Sequence, residues 1–256
     1  MDITLIQGIM ITLIAMVIVV DRHLEGFFIF RPIIVCPIIG LVLGDLGTGL
    51  IAGGIVELAF AGITGVGGVV APDAIITSIM TVVIAKTTGQ PVAASFALAY
   101  PFGVLMQFYW TIKNTLYSFF NKPADRYAKE ANLKGLIRIC IIGIVINMIC
   151  TGAITFLSVY AAQGPIRDLV QAMPDWLTHG FDVAGGLIPA IGFAMLLRVI
   201  LKGKYVPYLL AGFLFATFIQ FDNVLPIAIM GLSFALIDYN RQGNEVAVGG
   251  EANGGI

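Results

Sequence analysis

The chain has 256 residues, 59% of them hydrophobic and 11% charged, and its 14 basic and 15 acidic side chains leave a formal net charge of −1. A mean hydropathy of +0.97 excludes an ordinary soluble domain, and no basic face is available for nucleic acid. Several uncharged stretches approach the roughly 20 residues that a helix needs to cross a bilayer, which points to an all-α integral membrane protein rather than a barrel of short alternating strands.

Residues 3–20 form an uncharged first segment broken only by Thr4, Gln7, Gly8 and Thr12. No basic run precedes it and no small-residue cleavage site comes after it, so it is expected to be a retained span rather than a signal peptide. A charged turn, DRHLEGFFIFRP, comes next with Asp21, Arg22, His23, Glu25 and Arg31, and Pro32 opens a new helix. His23 is expected to be a solvated interfacial histidine. Residues 33–71 stay apolar but are punctuated by Pro37 and by ten glycines, which predicts short, discontinuous helices with a re-entrant hairpin. Spacings such as Gly40 to Gly44 and Gly49 to Gly53 also permit close helix packing.

After Pro72 and Asp73, residues 74–85 form another apolar piece, residues 86–91 a break, and residues 92–112 a crossing that contains Pro101. Between 113 and 138 stand six basic residues, Lys113, Lys122, Arg126, Lys129, Lys134 and Arg138, against Asp125 and Glu130, so this stretch is expected to be a cytoplasmic loop. Residues 139–162 span again, 163–180 are mixed, and 183–197 return to a second basic group at Arg198, Lys202 and Lys204. Two crossings between two basic groups place both groups on the same, cytoplasmic side. Residues 205–221 and 224–237 are short apolar runs, either thin crossings or a second re-entrant element. The expected division is one transmembrane domain over 1–239 and a mobile polar tail over 240–256. Ala52-Gly53-Gly54-Ile55 is echoed by Ala184-Gly185-Gly186-Leu187, as in chains built from inverted repeats.

The chemistry concentrates in residues 40–73, GLVLGDLGTGLIAGGIVELAFAGITGVGGVVAPD, where Asp45, Glu57 and Asp73 stand in an apolar, glycine-rich run. Carboxylates in such surroundings mark substrate or ion paths, and broken backbone is tolerated there only where it lines a cavity or is buried in protein. Glu57, apolar on both sides, is the leading ligand candidate; the competing role is a structural acid paired with Arg31 or Lys86. Asp73 after Pro72 is expected to face a cavity, with a helix cap as the competing role. Asp45 reads as a turn or cap residue. Cys36, Cys140 and Cys150 lack CxxC spacing and a His cluster, so they are read as buried small hydrophobes without disulfide or metal roles. No Walker loop, GxSxG or HExxH is present, so neither ATP hydrolysis nor a cofactor is expected.

RPIIVCPIIGLVLGDLGTGLIAGGIVELAFAGITGVGGVVAPDA resembles the signature region of the IIC subunit of mannose-type phosphotransferase sugar permeases, and the similarity extends to MPDWLTHGFDVAGGLIPAIGFAMLLR and YVPYLLAGFLFA. Through ELAFAGITGVGG, AMPDWLTHGF and KYVPYLLAGFLF it resembles in particular the N-acetylgalactosamine and galactosamine branch; mannose and sorbose members usually carry a polar residue where this chain has Gly65. The resemblance implies a multi-pass protein of the bacterial inner membrane that forms a sugar path with a membrane partner, IID, in trimers of IIC–IID pairs. Phosphate would come from a phosphohistidine on cytoplasmic IIB, charged through IIA, with no phosphorylated or catalytic residue on IIC itself. Substrate contacts are then expected from Glu57, Asp73, Thr64, Gly65 and Gly67, on an amino sugar. From the residues alone, two other roles stay open: a proton-coupled secondary transporter that uses the same acids as a relay, and a scaffold for a transporting partner.

Overall fold

The computed structural model describes residues 3–62, 71–161, 163–219 and 224–251, with the side chains of Gln171 and of 241–251 left out. Among these residues there are helices and no strands. The chain groups into two compact units, Met1–Leu197 and Arg198–Ile256.

The first unit begins with α1 (Leu5–Leu24), opened by a reciprocal capping box in which Thr4 and Gln7 satisfy each other's backbone N–H. The helix runs beyond the apolar segment, so Asp21, Arg22 and His23 are its last turn rather than part of a loop. Asp21 is buried and organises the turn after α1: its Oδ1 accepts the N–H of Phe27 and its Oδ2 that of Ile29, both at 2.8 Å. Those bonds hold a turn in which Glu25 and Phe28 have positive φ, a cost for residues that carry a Cβ.

Broken helices come next, as the glycines and prolines imply. α2 (Pro32–Val42) has proline in its first turn, and α3 (Leu46–Phe60) starts at Asp45 after Gly44 turns the chain at φ +68°. The two helices pair closely because Gly40 and Gly49 face each other. A Cβ built on Gly49 would stand 2.7 Å from the Cys36 carbonyl oxygen and 3.1 Å from Gly40 Cα. α4 (Ala74–Thr88) is the centre of this unit, with Ile75 through Ala85 all buried, and it packs against α2, α3 and α5 (Val92–Tyr117). A helix that is apolar on all sides has to be surrounded. Its hydroxyls are satisfied within the helix: Thr77, Ser78 and Thr81 each donate to the carbonyl four residues back at 2.7 Å.

The stretch expected as one cytoplasmic loop, 113–138, is mostly helical: α5 ends at Tyr117, a 3₁₀ turn leads into α6 (Asn121–Lys129), and α7 (Leu133–Phe156) starts soon after. Lys113 lies inside the bundle rather than in that polar stretch, because it is on the buried face of α5 with Trp110. α7 pairs with α1 and ends in a π turn, Leu157–Ala161. α8 (Gln163–Ala172) packs on α4, and its Gln163 takes the Ile3 N–H at 2.7 Å. α9 (Asp175–Ile200) approaches α3 at Gly192, where a Cβ would meet the carbonyl oxygens of Leu58 and Ala59 at 2.5 and 2.6 Å. The two Ala-Gly-Gly echoes hold matching places: Gly53 and Gly185 are buried at helix contacts, whereas Gly54 and Gly186 face open space. Of the cysteines only Cys36 is buried; Cys140 is exposed and Cys150 half-buried on α7, so burial within the chain does not extend to all three. The surface of a membrane helix is itself apolar, so an exposed position there reads like a core position in sequence.

The second unit holds α10 (Val206–Phe218) and α11 (Leu225–Glu251), packed on one another through Tyr208 and Phe234, with Tyr208 Oη donating to Asp238 at 3.4 Å. α11 continues into the glycine-rich residues beyond 240. Among the described residues, four helices are long and apolar enough to cross a membrane: Leu5–Leu24, Val92–Lys129, Leu133–Ala161 and Asp175–Ile200. α2, α3 and α4 are apolar but shorter.

Gly49→Val should lower the thermal stability of the detergent-solubilised protein by about 1–3 kcal/mol through overpacking against α2. Gly54→Ala, with nothing within 4 Å of the added Cβ, should leave it unchanged or raise it slightly. Melting curves of the two variants test the α2–α3 contact.

Candidate functional site

Asp45 stands at the helix start that its sequence setting implies, as the N-cap of α3. Its Oδ1 accepts the Thr48 N–H at 3.1 Å, and its Oδ2 lies 3.4 Å from Lys86 Nζ. Lys86 is thereby taken, which leaves Glu57 to Arg31. The pairing of α2 with α3 brings the residue just before α2 next to the last turn of α3. Arg31 Nη2 donates to Glu57 Oε1, and the Ile33 N–H donates to Oε2 at 3.2 Å. This pair lies at a rim: the Arg31 side chain is 50% exposed and that of Glu57 16%. Of the two partners weighed for Glu57, the geometry selects Arg31.

Asp73 is a different kind of acid. It caps α4 through Oδ1, which accepts the Ile76 N–H at 2.9 Å, while Oδ2 accepts from Trp110 Nε1 at 2.9 Å and from Arg22 Nη1. Its own N–H donates to the Gly103 carbonyl at 3.0 Å. With the side chain 2% exposed, Asp73 in this conformation is enclosed by the bundle, because the charges and donors of α1 and α5 converge on it. Thr64, Gly65 and Gly67 lie outside the described residues. Glu57 and Asp73 therefore flank the segment 62–71 from its two ends, one at a rim and one enclosed.

Several side chains that pattern reading passed over join Asp73. Trp110 and Lys113 are three residues apart on α5 and so share a face; the Arg22 Cζ lies 4.5 Å and the Lys113 Nζ 4.0 Å from the Trp110 ring centroid. A polar chain continues onto α7: Tyr109 Oη donates to Asn147 Oδ1 at 2.8 Å, and Asn147 Nδ2 lies 3.5 Å from His23 Nε2. His23 Nδ1 is 2.8 Å from the Val19 carbonyl, so the tautomer with hydrogen on Nδ1 fits both contacts. The available signal was the lone Asn147 in an uncharged run, and a tryptophan one turn before a lysine.

At the opposite end of α4, two clefts of about 480 and 450 Å³ share Gln90 and Pro91; Asp45 and Lys86 border one, and Asp175, His179 and Asp182 the other. Among the described residues no three His, Cys, Asp or Glu side chains gather as metal ligands.

Removing one partner of a buried, paired charge is far costlier than removing both. Asp73→Ala should therefore cost about 3–5 kcal/mol of stability, and the double variant Arg22→Met with Asp73→Ala less than the sum of the two single variants. A double-mutant cycle on melting measures this coupling; additive losses would show that the Arg22 contact contributes nothing.

Residues 5–237 match the family described as the sorbose-specific IIC component of the phosphotransferase system. The chain is 47% identical over 238 residues to N-acetylgalactosamine permease IIC component 1 of Escherichia coli K12, covering 93% of this chain and 89% of that protein. Among solved structures, one described as a membrane protein superposes with a TM-score of 0.83 at 29% identity over 93% of this chain and 97% of its own. The mannose transporter ManYZ in complex with microcin E492 superposes at 0.59 and 28% identity, over 94% and 97% of the respective chains. The helical fold with its broken α2–α3 pair, the acids around residues 62–71 and the match over residues 5–237 together place this multi-pass membrane chain in the family of phosphotransferase IIC sugar permeases, whose members act with other components of that system.

Proposed function

We propose that this chain is the sugar-translocating subunit of a phosphotransferase permease for an amino sugar, N-acetylgalactosamine or galactosamine, working in the inner membrane with a IID partner in trimers of IIC–IID pairs. Phosphate reaches the sugar on its cytoplasmic exit from IIB, itself charged by IIA. The 47% identity to an N-acetylgalactosamine permease subunit supports the substrate class, and the likeness to a mannose transporter of two named components supports the membrane partner.

One observation carries the residue assignment: the Arg31–Glu57 pair is partly open at the point where α3 runs into the glycine-rich segment. A carboxylate has about four acceptor positions, and Glu57 uses one for Arg31 and one for the Ile33 N–H. Sugar hydroxyls can take the others, while the unused N–H groups of Arg31 donate to sugar oxygens. Thr64, Gly65 and Gly67 complete the pocket around the C2 substituent. Asp73 acts on the same segment from its other end.

A charged acceptor contributes about 1.5–3 kcal/mol to a hydroxyl contact, so Glu57→Gln should lower uptake at least about tenfold while the subunits still copurify. Asp73→Asn separates two roles: a ligand loses uptake with its melting temperature unchanged, whereas a cap loses both together. Uptake in vesicles supplied with phosphoenolpyruvate and its carriers should persist when the proton gradient is collapsed. Uptake that stops on collapse, or normal transport by Glu57→Gln, defeats respectively the phosphotransferase reading and the site assignment.

A further inference from the structure

Lys113 is 9% exposed: its stem is buried in the bundle while its nitrogen is not fully enclosed, and among the described residues no side chain accepts a hydrogen bond from it. Among the described residues no carboxylate lies within ion-pair distance of it, and its contacts are two aromatic rings, Trp110 at 4.0 Å and Tyr117 at 5.2 Å. The neighbouring acids are occupied: Asp73 by Arg22, Trp110 and Ile76, and Asp21 by the N–H groups of Phe27 and Ile29. Arg22 stacks on the same indole at 4.5 Å. Two cations and one carboxylate therefore meet at one tryptophan. Contacts to ring faces hold the ammonium by its charge but do not take up its three N–H groups, which are left for water or a ligand.

The complement is an anion rich in oxygen acceptors. A phosphoryl group meets that description, since its oxygens accept from an ammonium and from free guanidinium N–H groups together. The surface beside the cluster is apolar: Phe27 is 83%, Leu24 65%, Ile112 60% and Leu116 54% exposed. Such a surface suits acyl chains, and basic pockets between membrane helices hold phospholipid headgroups.

We propose that Lys113 and Arg22 form a phosphoryl-binding site distinct from the Arg31–Glu57 pair, filled by the phosphodiester of an anionic phospholipid or by free phosphate. The site requires Lys113 as a cation and uses the Arg22–Asp73 pair to hold the second cation in place.

The test is native mass spectrometry of the full chain in neutral detergent with phosphatidylglycerol, with diacylglycerol of the same chains as control, alongside melting curves in inorganic phosphate. One cation near a phosphate surface is worth about fivefold in binding. The wild type should retain phosphatidylglycerol over diacylglycerol, Lys113→Gln and Lys113→Met should each lower that retention about fivefold, and Lys113→Arg should keep it. Met preserves the apolar stem on Trp110, which guards against a folding defect, and the exposed Lys134→Gln should bind as the wild type does. If phosphatidylglycerol shows no dependence on Lys113 but inorganic phosphate raises the melting temperature of the wild type and not of Lys113→Gln, the source is free phosphate. If neither probe depends on Lys113, the proposal is overturned. It is equally overturned if Lys113→Gln sheds the membrane partner with both probes unchanged, since the anion would then be a protein carboxylate.

Discussion

A carboxylate taken out of water must be met by donors on nearly every side, and that requirement at Asp73 shapes the first unit. One oxygen caps α4 through Ile76, the other draws the Trp110 indole from α5 and the Arg22 guanidinium from the end of α1. Three helices are thereby fixed at one point, α1 to the consecutive pair α4 and α5. The Asp73 backbone adds a fourth tie, to the Gly103 carbonyl. Where water is absent, each such bond is stronger than at a surface, and each omission would cost more.

From that anchor α4 can be buried along most of its length. Its threonines and serine turn their hydroxyls back onto the helix, so an element packed by α2, α3 and α5 leaves few polar groups unanswered. α2 and α3 are held against it as a pair whose backbones nearly touch at Gly40 and Gly49. Those short helices lack the length for an ordinary crossing. Neighbouring helices supply the enclosure that a break in a membrane helix otherwise lacks.

Burial separates the two acids that flank residues 62–71. Arg31 and Glu57 keep contact with solvent, so exchanging part of their bonding for a ligand's hydroxyls demands little new desolvation. Asp73 has already surrendered its water, and freeing it means stripping donors from α1 and α5 at once. The first arrangement suits a reversible contact and the second a fixed point about which helices are held. Lys113, stacked on the same tryptophan without an acid, extends the fixed point toward the surface.

Much was legible in the chain itself. Composition and the lengths of apolar runs determined a helical membrane protein, the glycines and Pro37 determined broken helices between 33 and 71, and the Asp45 setting determined a cap. These are local properties: hydropathy, backbone freedom and capping act over a few residues, so they can be read without a fold. Partner choice is not local. Whether Glu57 pairs with Arg31 or Lys86, which donors meet Asp73, and whether Lys113 belongs to a polar stretch or a core depend on which helices become neighbours across tens of residues. Only the tertiary structure decided these, because the energy of a charge in an apolar medium is set by what stands within a few ångströms of it, and sequence distance does not measure that separation.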